Sequence, residues 1–372
     1  MDGLKITVFN KGFLRRGWIG NPESVAVTLG FNVVGTAEVT FPADHARTAD
    51  VLAEGARLVI EYEGLPQPLI SGPVRSAKGE GPEGQSTITV TVEDDLRLLW
   101  RVLGWQVPTA AISAQNTAAY RTYTGNAETI IKTTVTENAV TRLGLPVTVA
   151  PNLNRGATIS GGVKFRMHPL AERLFPAVEE AGLGVRVYQS GPGLLLDVYE
   201  PKTYPKIISE AAGTLRTWAW ATNAPQVTRV IGGGQGEGTA RVFRSATNAG
   251  LEVKYGDVVE AFTDARNGET TAEIDQSNRE TLFEGKPTSG LSLELSETPY
   301  FRYGTVQVGD RVTIRAGGLE ITDILRSASI TWNRADGLTI TPAVGERQDD
   351  ADTKLATAVK KLWRTVSTLK AR

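Results

Sequence analysis

Apolar and polar positions alternate with a period of two over much of the first hundred residues. The segments SVAVTLGFNVVGTAEVTF (24–41), ARLVIEYEG (56–64) and STITVTVEDD (86–95) are rich in Val, Ile, Thr and Tyr and are punctuated by glycine. This pattern is typical of half-buried strands. Asp94 or Asp95 is placed to cap a short helix that contains Leu96, Leu99, Trp100 and Leu103. Residues 1–105 are therefore predicted to form a mainly antiparallel sheet or barrel closed by a helix.

The spacing of apolar positions changes from a strand pattern to a helical one in parts of residues 106–210. NAETIIKTTVTEN (126–138) and HPLAERLFPAVEEAGLG (168–184) are helix candidates. In the second, Pro169 suits the first helical position and Gly182 suits the left-handed residue after the end, whereas Pro176 predicts a kink or a later start. The segment 185–201, with Ser-Gly-Pro-Gly at its centre, predicts a hairpin. We expect a helical insert and a small α+β domain here.

Strand patterns return over residues 211–345. YGDVVEAFTDA (255–265) and GLSLELSE (290–297) are predicted to be extended, and a helix is predicted near 273–284. The run 306–344 divides into four strand-length pieces at Gly309-Asp310, Gly317-Gly318 and Asp336-Gly337. This pattern favours a β-meander, which suits a second barrel-like domain.

Residues 346–372 predict a C-terminal amphipathic helix. Its apolar positions are spaced four, three, four, three, which is a heptad seam: Leu355, Val359, Leu362, Val366 and Leu369. The helix is also basic, with six Lys or Arg and no acid after Asp352. The seam predicts an interface with another copy or with a partner, and packing on the chain's own domain is the equal alternative. A membrane-surface helix is disfavoured, because nothing else in the sequence indicates a membrane.

Composition excludes several kinds of chemistry. The 372 residues have a formal net charge of −1, no cysteine and two histidines. The charge gives no general attraction to nucleic acid, and the missing cysteines exclude disulfides and thiolate metal sites. His45 and His168 are far apart in the sequence and are interpreted as surface or capping residues. We expect no metal, no cofactor and no stable membrane insertion.

The run GGGQGEG (232–238) raises the question of a nucleotide site. A phosphate-binding loop needs Gly-Lys-Ser/Thr after the second glycine, but Thr239 and Ala240 follow Gly238. The dinucleotide spacing is also absent, and Val230, Ile231, Val242 and Phe243 predict flanking strands. The run is therefore interpreted as a structural bend in which glycines permit positive φ and close backbone approach: Gly232, Gly233, Gly234, Gly236 and Gly238.

No catalytic set stands out. The Gly-x-Ser-x-Gly elbow of many serine hydrolases is absent, and Asp94 and Asp95 are better explained as a helix cap than as an acid–base pair. Two well-placed carboxylates would suffice for a glycosidase, so a carbohydrate-active β-rich enzyme or an adhesin that uses Asp and Glu stays the alternative.

The order of these parts resembles a known family. GGGQGEGTARVFR (232–244), YGTVQVGDRVTIR (303–315) and SASITWNRADGLTITPAVGE (327–346) look like the tail-tip hub, or minor tail, proteins of long-tailed phages of actinobacteria. The opening agrees: GNPESVAVTLGFNVVGTAEVTFPADH (20–45), SGPVRSAKG (71–79) and TVTVEDDLRLLWRVLGWQVP (89–108). The resemblance extends over nearly the full chain.

The resemblance implies a mainly β fold with α+β insertions: two tail-tube-like β-barrel domains, smaller α+β domains and a C-terminal helix. It divides the chain at residues 1–105, 106–210, 211–345 and 346–372. It also implies a structural virion protein that is not an enzyme, made in the host cytoplasm and located at the tail tip. A homotrimer would line the DNA channel between the distal tail and tail-tube proteins above and other tip or fibre proteins below.

Overall fold

The computed structural model describes residues 3–82, 84–236, 238–266, 271–295 and 303–345. The first β region contains seven strands: β1 Leu4–Phe9, β2 Arg15–Ile19, β3 Ser24–Gly30, β4 Val33–Pro42, β5 Arg57–Tyr62, β6 Ile70–Glu80 and β7 Thr87–Glu93. Helix α1, Thr48–Leu52, lies between β4 and β5. All pairings among these strands are antiparallel, as the alternating pattern predicts.

A helical and mixed region follows. Asp94 caps a 3₁₀ turn (95–97) by accepting a hydrogen bond from the backbone N–H of Leu96, which confirms the predicted cap. The remaining elements are α2 Leu98–Arg101, β8 Leu103–Gly104, β9 Arg121–Tyr123, α3 Ala127–Val135, β10 Val147–Val149, β11 Val163–Phe165, β12 His168–Pro169, α4 Leu170–Glu180, β13 Gly184–Ser190 and β14 Gly193–Tyr199. A second 3₁₀ segment spans 112–117, and a π-helical segment (136–141) extends α3. Leu103 lies in a strand and not in the predicted helix.

Both predicted helices and the hairpin of this region are confirmed. Asn126 caps α3 by accepting from the N–H of Thr129 at 2.8 Å. Helix α4 begins at Leu170 and continues through Pro176, so the later start was wrong, and Pro169 is its N-cap instead of its first residue. Gly182 has φ +68°, the left-handed conformation expected after the helix end. Strands β13 and β14 form the hairpin.

Among its described residues, the second β region contains six strands: β15 Thr203–Ser209, β16 Leu215–Asn223, β20 Thr288–Leu295, β21 Arg311–Ala316, β22 Leu319–Asn333 and β23 Gly337–Gly345. Three more strands and two helices lie between β16 and β20: β17 Arg229–Gly233, β18 Phe243–Thr247, α5 Ala249–Tyr255, β19 Glu260–Asp264 and α6 Thr271–Glu284. We call residues 226–286 the insert. The predicted helix near 273–284 and the last three pieces of the meander are confirmed. The predicted extended segment 255–265 contains β19, and only its first residue, Tyr255, belongs to α5.

One large sheet joins the two β regions. Its strand order is β16-β20-β23-β22-β3-β4-β7-β6-β5-β1-β2, with β21 pairing β22 and β15 pairing β21. Strands from distant parts of this path, β1 and β5 on one side and β3, β4, β7 and β22 on the other, contribute to the same apolar core, so the sheet is strongly bent. A second core lies in the α+β region and a third, smaller one lies among β15, β16, β21, β22 and β23.

Candidate assembly surfaces

The pairing of β3 with β22 joins the two β regions. Seven residue pairs run antiparallel from Ser24 opposite Asn333 to Gly30 opposite Ser327. Ala328, Ile330 and Trp332 are buried with the core of the first region, although they lie some 300 residues later in the sequence. The two regions are therefore parts of one sheet, because β22 of the second region pairs with β3 of the first and contributes side chains to its core.

A buried polar cluster connects the first β region to the α+β region. Arg57, at the start of β5, donates to Asp95 and, through Nε, to Oε1 of Gln189 at 3.0 Å. Ser71 donates to Asp95 at 2.8 Å and accepts from the backbone N–H of Gln189, also at 2.8 Å. The ring of Phe13 lies 4.6 Å from the Arg57 guanidinium. A buried cation and carboxylate are tolerated because each is paired and hydrogen-bonded.

A second buried contact holds the same two regions together. Asn32, in the β3–β4 turn, has φ +55°. Its amide donates to the carbonyl of Leu183 at 3.1 Å and its Oδ1 accepts from the N–H of Val185 at 2.8 Å. The side chain thus satisfies two backbone groups at the start of β13, which fixes the hairpin against the turn.

The glycine run lies in the insert. Gly232 and Gly233 end β17, Gly236 has φ +100°, and Gly238, with φ +54°, begins a one-turn 3₁₀ helix (238–240) before β18. Strands β17 and β18 pair from Arg229 opposite Thr247 to Gly233 opposite Phe243. The run is thus the connection of an antiparallel pair.

Close packing explains the glycines inside this connection. A Cβ atom on Gly232 or Gly234 would overlap Ile274 of α6, and one on Gly233 would lie 2.7 Å from an Arg241 nitrogen and 2.8 Å from the Phe262 ring. Glycine therefore lets α6 approach one face of the strand while Arg241 and Phe262 approach the other.

The two histidines lie in different regions. His45 accepts from the N–H of Arg47 at 3.1 Å and its ring contacts Phe41 edge-on. His168 precedes α4, and its Nε2 is 2.8 Å from a guanidinium nitrogen of Arg173. Burial, with Arg173 and Arg166 nearby, lowers the pKa of His168 to about 4, so the ring is neutral at pH 7.

The predictions on metal binding, membrane insertion and the C-terminal seam are compared with the structure next. Across the described ranges, no cluster of three or more His, Asp or Glu side chains is placed to hold a metal, and no helix in those ranges is long and apolar enough to cross a membrane. The seam residues lie outside the described residues, so their role as an interface stays a prediction: Leu355, Val359, Leu362, Val366 and Leu369.

The sequence pattern did not predict the buried pairing of Arg57 or the exposed aromatic pair of the insert. Arg57 begins an otherwise apolar strand, RLVIEY, and this lone buried cation was the available signal for a buried pair. Phe243 and Phe262 fit the strand pattern of the sequence, but both are more than half exposed on the insert. An exposed aromatic pair cannot be recognised before the sheet is known.

Solved structures of phage tail proteins share this fold. The 43 kDa tail protein of prophage MuSo2 from Shewanella oneidensis has a TM-score of 0.57 and 11% identity, with 92% of this chain and 98% of that chain covered. A tail protein from Neisseria meningitidis MC58 has a TM-score of 0.55 and 12% identity, covering 92% and 97%. Prophage tail protein gp18 from Listeria monocytogenes EGD-e has a TM-score of 0.54 and 11% identity, covering 96% and 99%.

The class that these observations define is a mainly β protein with a phage tail protein fold. A family model described as Siphovirus ReqiPepy6 Gp37-like protein matches residues 5–346, and the chain belongs to this family of siphovirus tail proteins. No curated protein matches the sequence.

Proposed function

We propose that this chain is the tail-tip hub of a long-tailed phage, a virion protein that closes the tail tube or adapts it to the tip and lines the DNA channel. The observation that supports this is the sheet in which β3 and β22 join two β regions of one chain. The match to a family of siphovirus tail proteins and the phage tail protein fold also support the proposal.

Three copies would form the hub. Two β regions per chain, near residues 1–105 and 211–345, then give a ring of six, which matches a hexameric tube. The distal tail protein and the tube protein would lie above the ring and other tip or fibre proteins below it, with DNA only in passage. The smaller domain at 106–210 and the insert would face outward or downward. The C-terminal seam would need an apolar surface to pack against, because a helix of about twenty residues is marginal alone in water.

We further propose that the protein is not an enzyme and uses no cofactor. Asp94 caps a turn and Asp95 pairs with Arg57, so this adjacent pair of carboxylates is used by the fold. The phage would infect an actinobacterium, and the chain would be made in the host cytoplasm before it enters the tail. If the purified chain released reducing ends from host cell-wall polysaccharide, the proposal that it is not an enzyme would be rejected.

Electron cryomicroscopy of the intact tail tests the hub directly. We expect three copies at the tip, with β3 and β22 of each copy beside the channel, and gold-labelled antibody against the chain at the tip only. A dimeric or tetrameric arrangement, or label distributed along the tube, would reject the proposal. Isolated chain can be monomeric without affecting the test, because the ring faces are completed only in the tail.

A further inference from the structure

The insert is a two-layer unit with one covered face. Its sheet has the order β18-β17-β19, and α6 packs on one side of it. Val230 and Ile274 are almost completely buried on that side, where Asn278 also donates to the carbonyl of Arg244 at 3.2 Å. Because successive strand residues point to opposite faces, Ile231, Phe243 and Phe262 must lie on the other side.

The second face of the insert sheet is open and apolar. Phe243 and Phe262 are each 56% exposed. The guanidinium of Arg241 lies between them, 5.6 Å from one ring centroid and 5.4 Å from the other. Arg241 also donates to Asp264 at 2.9 Å and to the carbonyl of Gly233 at 3.3 Å. Its charge is thus paired, and the face presents two half-exposed aromatic rings around a neutralised cation.

Further exposed apolar side chains lie on α5 and in the segment after it. No residue of α5 is buried, and Val253 is 85% exposed. Tyr255 and Val258 are exposed as well. The contacts of α5 with the rest of the insert include the pair of Glu252 with Arg229 at 3.1 Å, and a seven-residue helix held by so few contacts is marginal in water. We call Phe243, Phe262, Val253, Tyr255 and Val258 the insert patch.

We propose that residues 352–372 of the same chain form a helix that covers the insert patch. The C-terminal chain is within reach. Gly345 pairs with Gly290, which is five residues beyond Gly285 at the base of the insert. Gly285 accepts there from the N–H of Gln226 at 2.8 Å. Five extended residues span at most about 18 Å, which limits the distance from Gly290 to Gly285, and residues 346–351 can span about 20 Å, enough to return to the base of the insert.

Size and apolar pattern fit this occupant. A helix of 21 residues is about 31 Å long, and its seam from Leu355 to Leu369 covers about 21 Å. A five-residue strand extends about 17 Å, and α5 lengthens the apolar surface. With α6 on one side and the C-terminal helix on the other, the insert sheet would become the middle layer of a three-layer unit.

Charge is complementary as well. Residues 352–372 contain six Lys or Arg and one Asp. Residues 249–264, which include most of the insert patch, contain four acidic residues and one lysine. Three of these acids pair with arginines of the insert: Glu252 and Glu260 with Arg229, and Asp264 with Arg241 and Arg266. Asp257, next to Val258, is exposed, so a seam of Leu and Val flanked by cations would meet an apolar surface that carries this carboxylate. This packing within one chain does not require the hub ring, and it makes the insert patch the surface that the seam binds.

Cross-linking tests the inference in the full chain, which has no native cysteine. Val258→Cys combined with Leu362→Cys should be bridged by a short bis-maleimide within one chain, as a linked peptide pair at monomer mass. The control pairs Leu362→Cys with Val33→Cys, an exposed residue of the first β region, and should not be bridged. Mixing isotope-labelled Val258→Cys chains with unlabelled Leu362→Cys chains should give no mixed adduct.

Two outcomes would overturn the proposal. One is a link between Leu362→Cys residues of different copies, or a mixed adduct, since either places the helix on another copy. The second outcome would come from hydrogen exchange. If the helix covers the patch, Leu362→Asp should make the amides of β18, β19 and α5 exchange about tenfold faster while β3 and β22 keep their protection. Unchanged exchange in the insert would mean that the helix does not cover the patch.

Discussion

A Cβ atom on Gly232 would overlap Cγ2 of Ile274, so helix α6 rests directly on the backbone of strand β17. Gly232→Val should therefore loosen the insert by about 1–3 kcal/mol through overpacking. Limited proteolysis and urea unfolding would measure this loss. Gly250→Ala is the matched control, since its nearest neighbour is an Asn248 oxygen at 3.5 Å and alanine favours the helix. Equal resistance of the Gly232→Val and parent proteins would contradict the contact.

The glycine run should not bind nucleotides. Its glycines accommodate Ile274 on one side and Arg241 and Phe262 on the other, which explains them without a ligand. Isothermal titration calorimetry with ATP and with NAD should show no saturable heat. Micromolar binding that is abolished by Gly236→Ala would show that the interpretation is wrong.

Breaking the buried Arg57–Asp95 pair should be costly. Asp95→Asn leaves a buried guanidinium without its counter-charge and should lower the free energy of unfolding by about 3–5 kcal/mol. Lys5→Gln removes an exposed cation from its pair with Glu61 and should cost at most about 1 kcal/mol. Chemical denaturation of both variants checks the contrast. Similar losses in the two would mean that Asp95 is not the essential partner.

Ile330 should stabilise the first β region from the other end of the sequence. Ile330→Ala removes a fully buried side chain from a core shared with β1, β4 and β7 and should cost about 2–5 kcal/mol. Hydrogen exchange should then speed up in β1 and β7. Ile207→Ala, at an exposed position of β15, is the control and should leave those amides unchanged. If only β22 and β23 lose protection, the two regions are not coupled as described.

His168 should make stability depend on pH. Its pKa is about 4 in the folded chain and about 6.5 when unfolded, so between these values the unfolded chain binds more protons. The contribution is complete above pH 6.5 and is lost as the pH falls toward 4, by roughly 2–3 kcal/mol. Urea midpoints at pH 7 and pH 4.5 should therefore differ more for the parent than for His168→Gln. The same difference in both proteins would assign the pH effect to other groups.

Local patterns determined most of the elements. Alternating residues in STITVTVEDD gave β7, the Asn126 cap gave α3, and Ser-Gly-Pro-Gly gave the turn of the hairpin. These features depend on neighbours within a few residues, and so the sequence shows them directly. Pro176 is the exception, because packing of Leu170, Leu174 and Val178 in the α+β core keeps α4 continuous through the proline.

Only the tertiary structure decided how these elements combine. Nothing near Ile330 in the sequence shows that it belongs to the core of β1, and nothing near Arg57 shows that Asp95 and Gln189 will satisfy it. The same holds for the insert patch, which exists because α6 takes one face of a sheet and leaves Phe243 and Phe262 on the other. Strand pairing and burial join residues hundreds of positions apart, and their energies depend on those distant partners, which no local pattern records.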